Sequence, residues 1–187
     1  NLHSARSYQV SAEAAERRGN VRLAKEHYRR ALLSAQNSNA PTAGISTAAY
    51  NLGRMTGYLC EYEEAEKLLT EALALQEEVP DADDPNHQIL SMRFFELARF
   101  YFDFGQYDKA IEYFEHGLPI AEQTGIANSD PIAYADALDD YAVALSNTDQ
   151  LARAHAIHQT AEEVRASNPD TEAIFRPTRY NQHCQPS

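Results

Sequence analysis

The chain has 187 residues, of which 43% are hydrophobic and only 7 are Gly and 8 Pro, so it fits a folded domain or a short repeat array and excludes collagenous or broadly disordered classes. Sixteen Lys and Arg against 28 Asp and Glu leave a net charge of −12, which disfavours a nucleic-acid or anionic-membrane surface. No apolar run approaches the roughly 18 residues of a membrane helix and no leader segment opens the chain, so membrane insertion is not expected.

In chain order, four segments align on small residues, beginning at Tyr8, Ala49, Phe94 and Leu138, with spacings of 41, 45 and 44 residues. Each carries a small residue at its fifth position (Ala12, Gly53, Ala98, Ala142). Another follows twelve residues later (Ala24, Ala65, Ala110, Ala154), and a third seven beyond that (Ala31, Ala72, Gly117, Ala161). Two helices about 8 to 10 Å apart need small side chains where they cross, so these places mark antiparallel contacts. Apolar residues recur at three and four, as in Phe94, Leu97, Ala98 and Tyr101, which is the helical period. Gly19-Asn20, Cys60-Glu61, Gly105-Gln106 and Asp149-Gln150 fall at the turn of each hairpin.

The pattern predicts paired helices over 5–18 and 21–36, 44–59 and 62–77, 85–104 and 107–123, and 131–147 and 150–166. Polar linkers at 37–44, 77–86 and 124–130 separate the pairs. Asp84-Pro85 and Asp130-Pro131 read as helix starts, an acceptor side chain standing before a proline whose missing N–H costs nothing there. The repeat domain is expected over 1–167, with repeats near 5–36, 44–77, 85–123 and 131–166, and 168–187 as a C-terminal cap or a linker. In that tail Ala173, Ile174, Phe175 and Tyr180 are the candidate capping residues, and Arg176-Pro177 the alternative linker start.

Leu52-Gly53, Leu97-Ala98, Tyr141-Ala142 and the run Gly105-x-Tyr107-x-x-Ala110 with Phe114 resemble the tetratricopeptide repeat, the third segment most closely. The period exceeds the family's usual ~34 residues and is similar to the long repeats of kinesin light chains and bacterial regulatory proteins; HEAT-type repeats are the fold alternative. The resemblance implies an all-α, right-handed superhelical solenoid of about four helix-turn-helix repeats, whose concave groove binds an extended peptide or a partner helix. Carrying the family's groove places over gives Arg6, Gln9, Glu13 and Arg17, then Tyr50, Asn51, Arg54 and Tyr58. The later repeats add Phe95, Arg99, Phe102 and Asp103, then Asp136, Asp139, Val143 and Asn147. Asn51 is expected to hold a peptide backbone, Arg54 and Arg99 to clamp carboxylates, and Tyr50, Tyr58, Phe95 and Phe102 to form apolar walls. The expected partner is a protein or peptide, acidic in character. The lysines of the chaperone-type carboxylate clamp are missing, with Gln9 and Met92 at two of their places.

No phosphate loop, GxSxG, HExxH or paired CxxC occurs, so no catalytic role or cofactor is expected. His155 with His158, and His183 with Cys184, are weak metal pairs lacking further ligands. Cys60 and Cys184 are too few for a disulfide framework, which points to a reducing, cytoplasmic setting. The alternative function is self-association: the first 36 residues carry seven basic and three acidic residues, and this basic end could meet the acidic body of a second copy, forming a homo-oligomer.

Overall fold

The computed structural model describes residues 2–79, 85–174, 179–180 and 184. They form α-helices with no strand among them: α1 (Leu2–Arg17), α2 (Val21–Asn37), α3 (Thr42–Tyr58), α4 (Tyr62–Glu77), α5 (Pro85–Asp103), α6 (Tyr107–Gln123), α7 (Ile126–Ser129), α8 (Pro131–Ser146) and α9 (Leu151–Ser167). The eight long helices stand within about three residues of the sequence expectation. The single turn α7 falls in the expected linker 124–130 and is too short for a periodic pattern to register. None of the described helices is long and apolar enough to cross a membrane.

The chain divides into two compact units, Asn1–Pro80 with Tyr180–Ser187, and Asp81–Arg179. In the first, α1 packs on α2, α2 on α3 and α3 on α4; in the second, α5 packs on α6, α6 on α8 and α8 on α9. The small residues sit at these crossings. Ala12, Ala24, Ala65, Ala72, Ala98, Ala110 and Ala161 are fully buried. A Cβ on Gly53 would lie 2.9 Å from Leu69 Cγ, and one on Gly117 2.9 Å from Phe94 Cβ, so the glycines permit helix contacts that alanine would strain.

Each hairpin turns through one residue in the left-handed region: Gly19 (φ 72°), Cys60 (φ 67°), Gly105 (φ 73°) and Asp149 (φ 59°). Glycine adopts this backbone without strain and cysteine does not. At the start of α8, Asp130 accepts from the Ala133 N–H at 3.2 Å with Pro131 in the first helical position. The corresponding Asp84 lies outside the described residues.

The cysteines correct the sequence reading. Cys60 and Cys184, 124 residues apart, are joined as a disulfide, so the expectation of a reducing compartment loses the support it took from them. A pairing across that separation leaves no local signature in the sequence, and the bond also removes Cys184 from the metal pair with His183, which is outside the described residues. Beside the bond Tyr180 is fully buried on α3, its ring so close to Gly57 that a Cβ there would lie 2.7 Å from Tyr180 Cε1. The expected cap on the final hairpin is thus corrected: Tyr180 is seated on the second hairpin, where the Cys60–Cys184 bond holds the tail, and Ile174 is 81% exposed. Phe175, Arg176 and Pro177 lie outside the described residues.

Candidate functional site

In the first unit, α3 presents Tyr50, Asn51 and Arg54 on successive turns. Arg54 Nη2 donates to Glu16 Oε1 at 2.7 Å, Arg54 Nη1 reaches Asn51 Oδ1 at 3.4 Å, and the guanidinium carbon lies 5.6 Å from the Tyr50 ring centroid. Glu16 Oε2 accepts from the Tyr28 hydroxyl at 2.7 Å. Burial, with the hydrogen bond and charge of Glu16, pushes the Tyr28 phenol well above its ordinary range and keeps it a donor. Asn51 and Arg54 are thus brought together, but the carboxylate that Arg54 holds is the chain's own. Tyr50 is buried and Tyr58 half-buried at the helix end. The basic second helix is engaged within the same unit: Lys25 pairs with Glu61 and Glu64, and Arg29 Nη2 lies 3.3 Å from Glu64 Oε1. The Glu64 carboxyl is held below its usual range: burial opposes this, but hydrogen bonding with Glu61 and the charge of Lys25 prevail.

In the second unit, α5, α7 and α8 enclose a cavity of about 290 Å³. Ile89, Met92 and Phe95 from α5, Ile126 from α7 and Ala133, Tyr134 and Ala137 from α8 form an apolar lining, with Arg99 and Asp130 at its polar places and Ile174 on the rim. Such a hollow, mostly apolar with a few placed polar groups, is the usual form of a recognition pocket. Arg99 is only 6% exposed; its Nη1 lies 3.3 Å from the buried Glu96 Oε2, and its Nε has no hydrogen-bond partner among the described residues. Tyr134 is anchored from behind, its hydroxyl donating to Glu122 Oε1 at 2.7 Å, and burial followed by Glu122 pushes its phenol above the ordinary range. Burial and Glu115 likewise push Tyr141 up to about 12.

Phe95 and Arg99 therefore line one cavity, while Phe102 is turned elsewhere, its ring 5.8 Å from Tyr107 and 5.8 Å from the guanidinium carbon of Arg179. Asp136 and Asp139 pair with Arg165 at 2.8 and 2.6 Å, and His158 Nδ1 lies 2.9 Å from Asp139, which gives that histidine a partner on α8. No group of three or more metal-ligating side chains occurs among the described residues. The family pattern did not single out Ile89, Tyr134, Ala133 or Ala137 as lining, because it assigns contacts to fixed places and the cavity also draws on α7 and α8. The alternating large and small α8 residues Ala133, Tyr134 and Ala137 were the available signal.

The sequence profile of the Tetratricopeptide repeat matches residues 3–78 and again 94–124. Among solved structures, BtubC (BKLC) from P. vanneervenii is similar at 20% identity over 91% of this chain and 66% of that one, with a TM-score of 0.78. The chain thus spans just under two thirds of that protein. A Podospora anserina protein with nearly identical TPR-like repeats, assigned as a kinesin light chain, matches at 21% identity over 89% of this chain and 77% of that one, TM-score 0.66. MamA matches at 17% identity over 89% and 81%, TM-score 0.66. No curated protein gives a match.

Proposed function

The chain belongs to the tetratricopeptide repeat family, whose fold mediates protein–protein interaction, and on that premise we propose that it is a non-enzymatic scaffold that binds an extended peptide or partner helix, with the second unit as its reading element. The observation that carries this is the apolar cavity with Arg99 at its edge: two residues marked by the family pattern, Phe95 and Arg99, line it. An aliphatic or aromatic anchor of the partner fills the cavity, and a carboxylate or backbone carbonyl meets the Arg99 guanidinium as it turns from Glu96. Tyr50, Asn51, Arg54 and Tyr58 of the first unit are secondary contacts, since the apolar cavity lies in the second unit. Self-association through the basic first hairpin is the weaker reading, because Lys25 and Arg29 are paired with Glu61 and Glu64 inside their own unit.

The test is selection of peptides on the immobilised full chain, followed by titration against the wild type and Ala133→Phe, which fills the cavity without removing a polar group. Selected peptides are expected to lose at least about tenfold in affinity for the variant. Equal binding to both proteins, or selection of no peptide, defeats the proposal. The cytoplasmic setting is proposed on one condition, that host reductants open the Cys60–Cys184 bond there. Protein alkylated at lysis and found by mass spectrometry to carry the intact bond would end that reading.

A further inference from the structure

One helical turn beyond Arg99, the same α5 presents a site of opposite sign. Asp103 at the end of α5 and Asp140 in α8 are both buried, with side chains 2% and 12% exposed. Between them lies one guanidinium, that of Arg179 from the tail. Its Nη2 is 2.8 and 2.7 Å from the two oxygens of Asp140, its Nη1 is 3.2 Å from Asp103 Oδ1, and its plane lies over Phe102 at 5.8 Å. Two carboxylates and an aromatic face make a guanidinium receptor, in which each Nη group meets one carboxylate and the ring adds its negative face.

The two sides of this contact are built differently. The acids and Phe102 belong to long helices, and their positions are fixed by backbone ladders and buried neighbours. The base belongs to a segment with no regular structure among its described residues, anchored within its unit by the Ile174 N–H on Asp130 Oδ1 at 3.2 Å and by Arg179 itself. A rigid receptor gripping an arginine of an irregular segment is the arrangement of a peptide complex, made here within one chain. Withdrawing Arg179 takes a guanidinium from two desolvated carboxylates, which is costly, so exchange for a second guanidinium is strongly preferred to its simple loss.

We propose that Asp103, Asp140 and Phe102 form an arginine-reading subsite, occupied in this structure by the chain's own Arg179 and open to an arginine of a partner peptide that displaces the tail. This rests on the reading that the α5 face of the second unit binds peptide, and it gives that partner mixed sign: a negative group or carbonyl at Arg99 and an arginine one helical turn away. Lysine would serve poorly, since a point charge cannot bridge both acids as a planar fork does.

The experiment measures fluorescence anisotropy of a labelled peptide copying residues 171–180, added to the full chain with dithiothreitol present so that the tail is not held covalently. Arg179→Ala is expected to bind the peptide about tenfold more tightly than wild type, because the internal competitor is gone. The gain should vanish when the peptide's own Arg179 is replaced by alanine, and when Asp103→Asn is added to the protein. Arg179→Lys, which keeps a positive charge between the acids, should fold as wild type by circular dichroism and bind with intermediate affinity. Equal affinity of wild type and Arg179→Ala, or equal affinity for the two peptides, overturns the subsite and leaves a purely structural clamp. The Ala133→Phe variant separates the two readings: its loss of selected peptides with no Arg179 effect removes only the subsite, whereas binding of no peptide to any variant removes both.

Discussion

The two units use the same hairpin geometry to opposite ends. In the first, the ligand-type residues are satisfied from within: Glu16 holds Arg54, Glu61 and Glu64 hold Lys25, and the tail is closed over Gly57 by Tyr180 and the Cys60–Cys184 bond. In the second, Arg99 is likewise held by Glu96, but a mostly apolar hollow of about 290 Å³ persists beside it. Equivalent family positions thus carry like ion pairs, and the one in the second unit lines an apolar hollow. On the proposed reading, the side chains around each arginine, and not the repeat pattern, decide which unit takes a partner.

The sharpest way to break this comparison is to remove the covalent closure. Cys184→Ser should lower stability to thermal or urea unfolding by about 2–5 kcal/mol, since the bond closes a long loop in the unfolded chain. The loss should equal that of wild type in dithiothreitol, and a variant as stable as the oxidised wild type would show that the bond does not constrain the unfolded chain. Gly57→Ala should come next. Its new methyl meets the Tyr180 ring, at a cost of about 1–3 kcal/mol, partly offset by up to about 1 kcal/mol of helix propensity. Tyr180→Ala in the same chain should then add less than its separate effect, as double-mutant unfolding would measure. The smallest effect has the opposite sign. Under reduction, Cys60→Gly should stabilise the chain by up to about 1 kcal/mol, because Cys60 occupies the left-handed position that Gly19 and Gly105 fill without strain. A loss of stability in that experiment would mean that the reduced thiol contributes more than the strained backbone withdraws.

Much of the fold is legible in the sequence because it is written in repeated local terms. Ala12, Gly53 and Ala98 mark crossings by size alone, and the turn residues Gly19 and Gly105 mark left-handed backbone, so hairpin limits follow from period and spacing. The Cys60–Cys184 bond and the seat of Tyr180 beside Gly57 are not legible, since each joins residues far apart in the chain that share no pattern. The candidate site divides the same way. Phe95 and Arg99 were marked by family position and do line a cavity, but Tyr134, Ala137 and the Arg179 partners of Asp103 and Asp140 depend on how α8 and the tail pack, which no single segment encodes.

The chain carries one buried probe for the first unit, Met55, and one lining the cavity of the second, Met92, and its two methionines make the comparison directly measurable. With both methyls labelled by carbon-13, a peptide selected on the full chain is titrated and the two resonances are followed by NMR. The receptive-unit account expects the Met92 methyl to shift in proportion to occupancy while Met55 stays in place. Movement of Met55 with Met92 unchanged would contradict it and transfer recognition to the first unit.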